Sequence, residues 1–408
     1  MNVLVLNCGS SSVKFQVLET DLGKIEADGD RHIARGLIER VGSTTATLKL
    51  QLGDAKATTE PVEARDMEQA LEAALGALTS GPAPALPDLK SIGAVGHRVV
   101  HGGEYFQKST LVTPAALEKI EMCIDLAPLH NPVNLKGIRI ARRLLPDIPH
   151  IAVFDTSYHQ SMPAHAFLYA LPYEQYTKNR ARRYGFHGTS HRYMVHRLHR
   201  ILDVPRSAVS AITCHFGNGC SICAVRDGTS IDTTMGFTPM EGLMMGTRAG
   251  DVDPGLLFHL MAHEEMAPHQ LETMLNKHSG LAGISGLGND MREIQREADR
   301  GNMRARLAIR MFCYRAAKAI GAFMTVVGKD LQAIAFAGGI GENAASVREQ
   351  IGTQLEALGV EIDPLKNDVH GAEREIGSHR SRIRVFVIPT DEELVIARDA
   401  VRVLEGVL

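Results

Sequence analysis

The sequence predicts an α/β protein built from two similar domains. Three observations carry that reading: a strand–turn–strand at the start, a second copy of it near the middle, and a length of 408 residues, which suits two domains. In the first stretch Val3-Leu4-Val5-Leu6 runs into Asn7-Cys8-Gly9-Ser10-Ser11-Ser12. Val13, Phe15 and Val17 then alternate with Lys14 and Gln16, which is strand periodicity. Gly9 and the serines have small side chains that leave backbone N–H groups open to an anion. Asn7 ends the first strand and Lys14 adds a cation just past the turn. Alone, the segment reads equally as a polar hairpin or as a cradle for a nucleotide phosphate. The second copy, Ile212 to Val225, aligns without a gap: Gly9 falls on Gly217, Phe15 on Cys223 and Val17 on Val225. The repeat suggests two domains facing one ligand; the alternative is a duplicated fold with no site.

At 44% hydrophobic and 22% charged, the composition is that of a soluble globular protein. A net charge of −3 gives no reason to expect nucleic acid or an anionic membrane as partner. The chain starts on a strand without a basic n-region, and no apolar run reaches transmembrane length. The six scattered cysteines read as reduced thiols, so a cytoplasmic location is expected. Cys220 and Cys223 spell C-x-x-C, but on a strand positions three apart point to opposite faces, which argues against chelation or a local disulfide.

Residues 54–90 read as loop and surface helix, ending in the turn-rich Gly81-Pro82-Ala83-Pro84-Ala85-Leu86-Pro87. Ile92 to Val100 is a strand running to Gly102-Gly103, with Arg98 among valines, an unusual place for a merely solvated charge. Thr113-Pro114 starts a helix, an N-cap followed by proline at N1, with Leu117, Ile120 and Ile124 on its buried face. Leu126 to Pro132 is a loop carrying His130. Asn131-Pro132 opens the next helix, which Pro146 ends. Ile151 to Phe154 is a buried strand with Asp155 at its carboxyl end, where open α/β sheets place ligands.

Arg182-Arg183-Tyr184-Gly185-Phe186-His187-Gly188-Thr189-Ser190-His191 precedes an amphipathic helix with Met194, Leu198, Ile201 and Leu202 inside. His187 and His191 have the i, i+4 spacing of zinc helices, but Gly188 and the cap residues separate them and the glutamate of H-E-x-x-H is absent. Gly236 to Asp251 is a long glycine-punctuated loop with one exposed arginine, Arg248; such loops are usually functional. Gly286 to Arg292 is another. A helix near 302–327 stacks Ala308, Phe312, Ala316, Ala319, Phe323 and Val327 as core or dimer seam. Ile334 to Ala337 is a strand leading into Gly338-Gly339-Ile340-Gly341-Glu342-Asn343. That run is short of G-x-G-x-x-G but can bring backbone against a flat ring or a ribose. Ser346-x-x-Glu349 reads as a capping box with Gly359 as the C′ residue. After the strand Val385 to Ile388, Thr390-x-x-Glu393 reads as another, which leaves Glu392 in a first turn where an acid is favourable in any case. No Walker A sequence is present.

These motifs resemble acetate kinases. Asn7-Cys8-Gly9-Ser10-Ser11-Ser12-Val13-Lys14-Phe15 and Arg183-Tyr184-Gly185-Phe186-His187-Gly188-Thr189-Ser190-His191 are similar to the two signature stretches of that family. So are His97-Arg98-Val99-Val100-His101-Gly102-Gly103, Leu129-His130-Asn131-Pro132, Phe154-Asp155-Thr156, His215-x-Gly217-Asn218-Gly219, Met245-Gly246-Thr247-Arg248, Gly339-Ile340-Gly341-Glu342-Asn343 and Glu392-Glu393. Asp391 stands where the family pattern leads one to expect Asn, adding charge near the metal. The resemblance covers essentially the whole chain. It implies the sugar kinase/Hsp70/actin fold, with domains at 1–153 plus 389–408 and at 154–388, an active site in the interdomain cleft, and a homodimer through the second domain.

The implied reaction is direct in-line transfer between ATP and acetate, giving acetyl phosphate and ADP, with Mg²⁺ (Mn²⁺ as a substitute). By the same resemblance, Arg98 and Arg248 hold acetate and the transferring phosphoryl group. His187 donates to that group's equatorial oxygens and His130 assists. Asn7 and Glu392 serve the metal, and Asp155 supports it or orients an arginine. Lys14, His215, Phe216, Gly217, Asn218 and Gly219 meet the ATP phosphates. Asp290, Met291, Arg292, Gly339, Ile340, Gly341, Glu342 and Asn343 meet the rest of the nucleotide. Val100, Leu129, Phe186 and Pro239 line the methyl pocket. The nearest alternative is a propionate kinase with a larger pocket. A non-catalytic nucleotide-gated binder of the same fold would not need the set Arg98, His187 and Arg248.

Overall fold

Alternating apolar residues in the opening stretch build a hairpin, β1 (Asn2–Cys8) and β2 (Ser12–Glu19), with Asn7 opposite Lys14. Its turn is closed by the Gly9 N–H donating to the Ser12 carbonyl at 2.8 Å. A meander adds β3 (Arg31–Glu39), β4 (Thr47–Leu52) and β5 (Thr58–Pro61) on one side. On the other side lie β6 (Ile92–Val99), β7 (Thr110–Leu111) and β8 (His150–Phe154), in the sheet order β5-β4-β3-β2-β1-β6-β8-β7. β1, β6 and β8 are mutually parallel. Helix Met67–Thr79 packs on β2 and β3, helix Asn131–Leu144 on β1 and β6, and the last helix, Glu392–Leu404, on β1, β6 and β8. The apolar faces of Leu4, Leu6, Phe15, Ile38, Leu71 and Leu78 close one core on this sheet.

The second sheet repeats the plan. β9 (Ala211–Phe216) and β10 (Cys220–Arg226) form the matching hairpin, followed by β11 (Thr229–Thr233), β12 (Ala333–Ala337), β13 (Arg374–Glu375) and β14 (Arg384–Val387). The order is β11-β10-β9-β12-β14-β13, with β9, β12 and β14 parallel. Strand for strand this is β3-β2-β1-β6-β8-β7 again, in order and sense. Helix Met303–Val327 packs on β9 and β10, and helix Gly188–Leu202 on β9 and β12. Each unit thus takes one sheet-covering helix from the chain that follows the other unit's last parallel strand. Gly188–Leu202 comes after β8 but covers the second sheet, and Glu392–Leu404 comes after β14 but covers the first.

The computed structural model describes residues 1–81 and 84–408; Pro82 and Ala83 of the expected proline-rich connection lie outside the described residues. Two units are compact: Met1–Tyr158 with Asp391–Leu408, and His159–Thr390. The breaks fall a few residues beyond the expected 153/154 and 388/389, and Asp155 belongs with the first unit because its carboxylate is tied to Arg98 of β6. Along helix Met303–Val327 the stripe Ala308, Phe312, Ala316, Phe323 and Val327 is buried within its own unit.

Several local expectations are corrected. The stretch Gly286 to Arg292 is loop only to Asp290, whose side chain accepts from the Arg292 N–H at 2.9 Å and caps helix Met291–Asp299. Ser346 forms no capping box. Helix Gly338–Asn343 leads almost directly into helix Ala345–Leu355, and Ser346 Oγ bonds Gln295 Oε1 at 3.0 Å. The final helix is capped by Asp391, not Thr390: Asp391 Oδ1 accepts from the Leu394 N–H at 3.0 Å. Glu393 instead meets Lys14 Nζ at 2.5 Å.

Candidate active site

In the first unit the chemistry gathers at the carboxyl ends of the parallel strands. Asn7 comes from β1, Arg98 from β6, and Asp155 follows β8. Arg98 Nε and Nη2 meet the two Asp155 oxygens at 2.9 and 2.6 Å, and Nη1 reaches Asn7 Oδ1 at 3.5 Å. Such a fork-to-fork pair fixes orientation as well as charge. The Asp155 side chain is only 2% exposed. Burial alone would lower the Arg98 pKa, but Asp155, Glu392 and Glu393 outweigh it and hold the guanidinium above its usual range. Glu392 sits in the first turn of the last helix, beside this cluster. Lys14, expected at the ATP phosphates, is paired with Glu393 and half exposed.

Val100 lies one residue past the end of β6. It is buried, with its N–H donating to Asn134 Oδ1 at 3.0 Å. Leu129 is 65% exposed and so forms no buried pocket wall inside its unit. His130 is the N-cap of helix Asn131–Leu144, with no side-chain cap bond.

In the second unit the site is built around the β9–β10 turn. The Gly217 N–H donates to the Gly219 carbonyl at 3.0 Å. A Cβ on Gly219 would stand 3.2 Å from Arg248 Nη1 and 3.3 Å from His187 Nε2, so these two cationic or donor groups converge on one glycine. His187 takes a left-handed backbone, φ 57°, at the start of helix Gly188–Leu202. Its Nδ1 bonds Ser221 Oγ at 2.8 Å, and its ring lies 4.3 Å from that of His215, which bonds Ser190 Oγ at 2.8 Å. Phe186 is buried and its carbonyl accepts from His159 at 2.9 Å.

Arg248 is half-buried rather than exposed. It donates to the Pro239 carbonyl at 3.0 Å and touches the Met245 sulfur at 3.7 Å. Burial lowers its pKa, and no carboxylate pairs with it among the described residues. An arginine whose charge is not matched by the protein is suited to an anionic ligand. The loop carrying it is held by Arg183, which donates to the carbonyls of Thr233 and Thr234 at 2.9 and 3.1 Å and meets Glu241 at 2.5 Å.

Next to the turn, a cavity of about 1140 Å³ is lined by Gly217, Asn218, Asp290, Met291, Arg292, Gly339, Ile340 and Asn343, all named from the sequence. Gly338, at φ 76°, turns the chain from β12 into the helix along its wall; a Cβ there would lie 2.7 Å from the Phe216 carbonyl oxygen. Phe216 itself is buried against Phe312 and Phe336, and Gly341 is buried, so any contribution from these two is through backbone. Glu342 is committed to structure: one carboxylate oxygen accepts from Gly338 N–H at 2.9 Å and Thr390 N–H at 3.1 Å. Asp290 spends its carboxylate on capping and on Arg292, which holds its pKa down at about 2.

Asn289, Gln295, Ser346 and His370 also line the cavity and were not singled out as site residues. Asn289 was within reach, since it lies in a glycine-rich loop already noted; it donates to Asn218 Oδ1 at 2.7 Å. Nothing around His370 in the sequence marks it. Ser221 goes unmarked in the sequence because a serine within a strand reads as core, and His191 is weighed there only against the spacing of a zinc helix.

The chain matches the model of the acetokinase family over residues 2–398. It is 46% identical over 408 residues to the acetate kinase of Caldanaerobacter subterraneus subsp. tengcongensis, with 100% of both chains covered. It is 48% identical over 412 residues to that of Solibacter usitatus, covering 100% of this chain and 99% of the relative. Among solved structures, Porphyromonas gingivalis acetate kinase superposes with a TM-score of 0.92 at 43% identity, covering 99% of each chain. A propionate kinase from Francisella tularensis gives 0.90 at 41% identity, covering 98% of each.

Proposed function

The chain belongs to the acetokinase family, and from that premise we propose how its residues divide the work of phosphoryl transfer. The activity is that of an acetate kinase: the γ-phosphoryl group of ATP passes to acetate, giving acetyl phosphate and ADP. The observation that carries the assignment of residues is the convergence of His187 and Arg248 on Gly219 beside a nucleotide-sized cavity. Acetate is already ionised at neutral pH, so no general base is required. Phosphoryl transfer asks for alignment and charge stabilisation rather than covalent catalysis. Arg248, matched by no carboxylate among the described residues, stabilises the transferring group, and His187 donates to its equatorial oxygens with His130 assisting. Arg98, with two of its nitrogens committed to Asp155, presents Nη1 to the substrate. The turn at Gly217 to Gly219 receives the phosphates, and the cavity takes the adenosine.

Asn7 and Glu392 are hard oxygen donors, a set that fits Mg²⁺ (or Mn²⁺), which is held by one or two carboxylates together with phosphates and water, while Asp155 orients Arg98. When bound, the ion offsets charge on the β- and γ-phosphates. Glu392→Ala is expected to raise the Mg²⁺ concentration needed for half-maximal rate and to lower kcat. We also propose a homodimer through the second unit, supported by the exposed apolar Leu256, Phe258 and Leu307. A cytoplasmic location is supported by six buried cysteines, none of them in a disulfide among the described residues. No helix among the described residues is long and apolar enough to cross a membrane.

Hydroxamate trapping of acyl phosphate from Mg·ATP with acetate, propionate or butyrate tests the reading. One methylene in an apolar pocket discriminates by about 1–3 kcal/mol, so acetate should be preferred, propionate accepted less well and butyrate least. Val100→Ala should raise the propionate/acetate ratio of kcat/KM while leaving the ATP KM little changed. No acyl phosphate from any of the three acids would overturn the assignment; propionate as best substrate would make the protein a propionate kinase.

A further inference from the structure

We propose that Ser221 positions His187. A chain of hydrogen bonds from Thr213 through His191 and Ser221 holds the His187 ring as the tautomer that carries its proton on Nε2. The proposal rests on the reading of His187 as donor to the phosphoryl group. Ser221 Oγ lies 2.8 Å from His187 Nδ1 and 2.8 Å from His191 Nε2, and His191 Nδ1 lies 2.8 Å from Thr213 Oγ1. Ser221, His191 and Thr213 are all fully buried.

The proton count links these groups. A serine hydroxyl has one proton to donate, and the two rings are the hydrogen-bond partners of the buried Ser221 Oγ among the described residues, so Ser221 donates to one ring and accepts from the other. Burial holds the His191 pKa well below its usual range, so that ring is neutral and carries one N–H. Two orderings satisfy every group. In the first, Thr213 donates to His191 Nδ1, His191 Nε2–H donates to Ser221, and Ser221 donates to His187 Nδ1. His187 then keeps its proton on Nε2. In the second, every donor is reversed, and a neutral His187 has a bare Nε2. Nε2 lies on the Gly219 and Arg248 side. An anionic phosphoryl oxygen there attracts an N–H and repels a lone pair, so the substrate selects the first ordering.

The backbone at His187 is held separately. His159 Nε2 is 2.9 Å from the Phe186 carbonyl, which can only accept, so His159 carries its proton there, and its Nδ1 accepts from Ser230 Oγ at 2.8 Å. Burial brings the His159 pKa down to about 4, which keeps the ring neutral. The peptide entering the left-handed residue His187 is therefore pinned while Ser221 sets its ring.

The test combines ¹⁵N-histidine NMR with steady-state kinetics on the full-length protein carrying Mg·ATP or Mg·ADP with acetate. In the wild type, the His187 signals should show Nε2 protonated and Nδ1 hydrogen-bonded as acceptor; a ring protonated on Nδ1 alone overturns the proposal without any variant. Ser221→Ala should lower kcat roughly 10²-fold, the order seen when a group that orients a catalytic histidine is removed. The KM values for acetate and ATP should move less than about threefold, since the lost interaction acts in the transition state. The His187 ¹⁵N signals should lose the fixed-tautomer pattern. A kcat loss with unchanged His187 signals would assign Ser221 a merely structural role and overturn the proposal. Wild-type turnover in Ser221→Ala alongside an inactive His187→Ala would overturn it too, leaving the reading of His187 intact. Wild-type turnover in both variants would remove His187 from the chemistry and the proposal with it.

Discussion

Two arginines placed in the same reaction sit in opposite electrostatic settings. Arg98 is matched by a buried carboxylate, and Arg248 meets a carbonyl and a sulfur, with no carboxylate partner among the described residues. Replacing either by alanine should lower kcat roughly 10³-fold, the scale of arginine contributions to phosphoryl transfer. Their effects on stability should differ. Arg98→Ala strands Asp155, 2% exposed at its side chain, and removing one partner of a buried pair costs about 3–5 kcal/mol. Burial already raises the Asp155 pKa. In the variant, part of the lost stability should therefore return as the pH is lowered and the carboxylate takes a proton. Arg248→Ala should cost about 1 kcal/mol or less, a single hydrogen bond. Urea unfolding at neutral and acidic pH, beside kinetics, checks both; equal stability losses would contradict the contrast. The presence of arginines among glycines and valines was plain in the sequence, but which of them is neutralised depends on Asp155, 57 positions from Arg98 in the chain.

The start of the last helix shows where local pattern reading slips. Thr390-x-x-Glu393 satisfies the spacing of a capping box, yet Asp391 caps the helix and its other oxygen lies 2.9 Å from His32 Nε2 on β3. The Thr390 N–H is already taken by Glu342, and Glu393 by Lys14. Asp391→Ala should lower stability by about 0.5–2 kcal/mol, the usual worth of an N-cap, whereas Thr390→Ala should cost well under that. Glu393→Ala should cost about 1 kcal/mol or less because Lys14 is half exposed and such pairs are screened. Thermal denaturation of the three variants ranks them, and a larger loss from Thr390→Ala would restore the capping box. The Ser346 box fails for a related reason: Ala344 is the N-cap, and Ser346 is already the second residue of the helix. Capping patterns register short spacings well but do not say which of two adjacent polar residues leaves the helical backbone first.

Taken as a whole, the molecule buries several neutral histidines. His97 and His150 bond each other at 2.8 Å in the first unit, and His159 and His191 lie in the second. Burial lowers the pKa of all four from 6.5, that of His159 to about 4. Between those values the unfolded chain binds protons that the native chain refuses, so stability rises with pH there and is lost as pH falls from about 6.5. Each such group contributes up to about 1.4 kcal/mol per pH unit. The midpoint of thermal unfolding should therefore drop steadily from pH 6.5 to 4, and a folded His159→Gln variant should show a shallower decline. An equally steep decline in that variant would remove His159 from this account. The duplicated hairpin, the main strands and the glycine turns were legible from residue order alone. They depend on periodicity and on backbone conformations that only small residues adopt, and both are local. The partners of Arg98, the exchange of sheet-covering helices between units, and the chain Thr213–His191–Ser221–His187 were not. Each joins residues distant in sequence whose individual types are ordinary core or surface residues, and only the packing of strands and helices brings their polar atoms within 3 Å of one another.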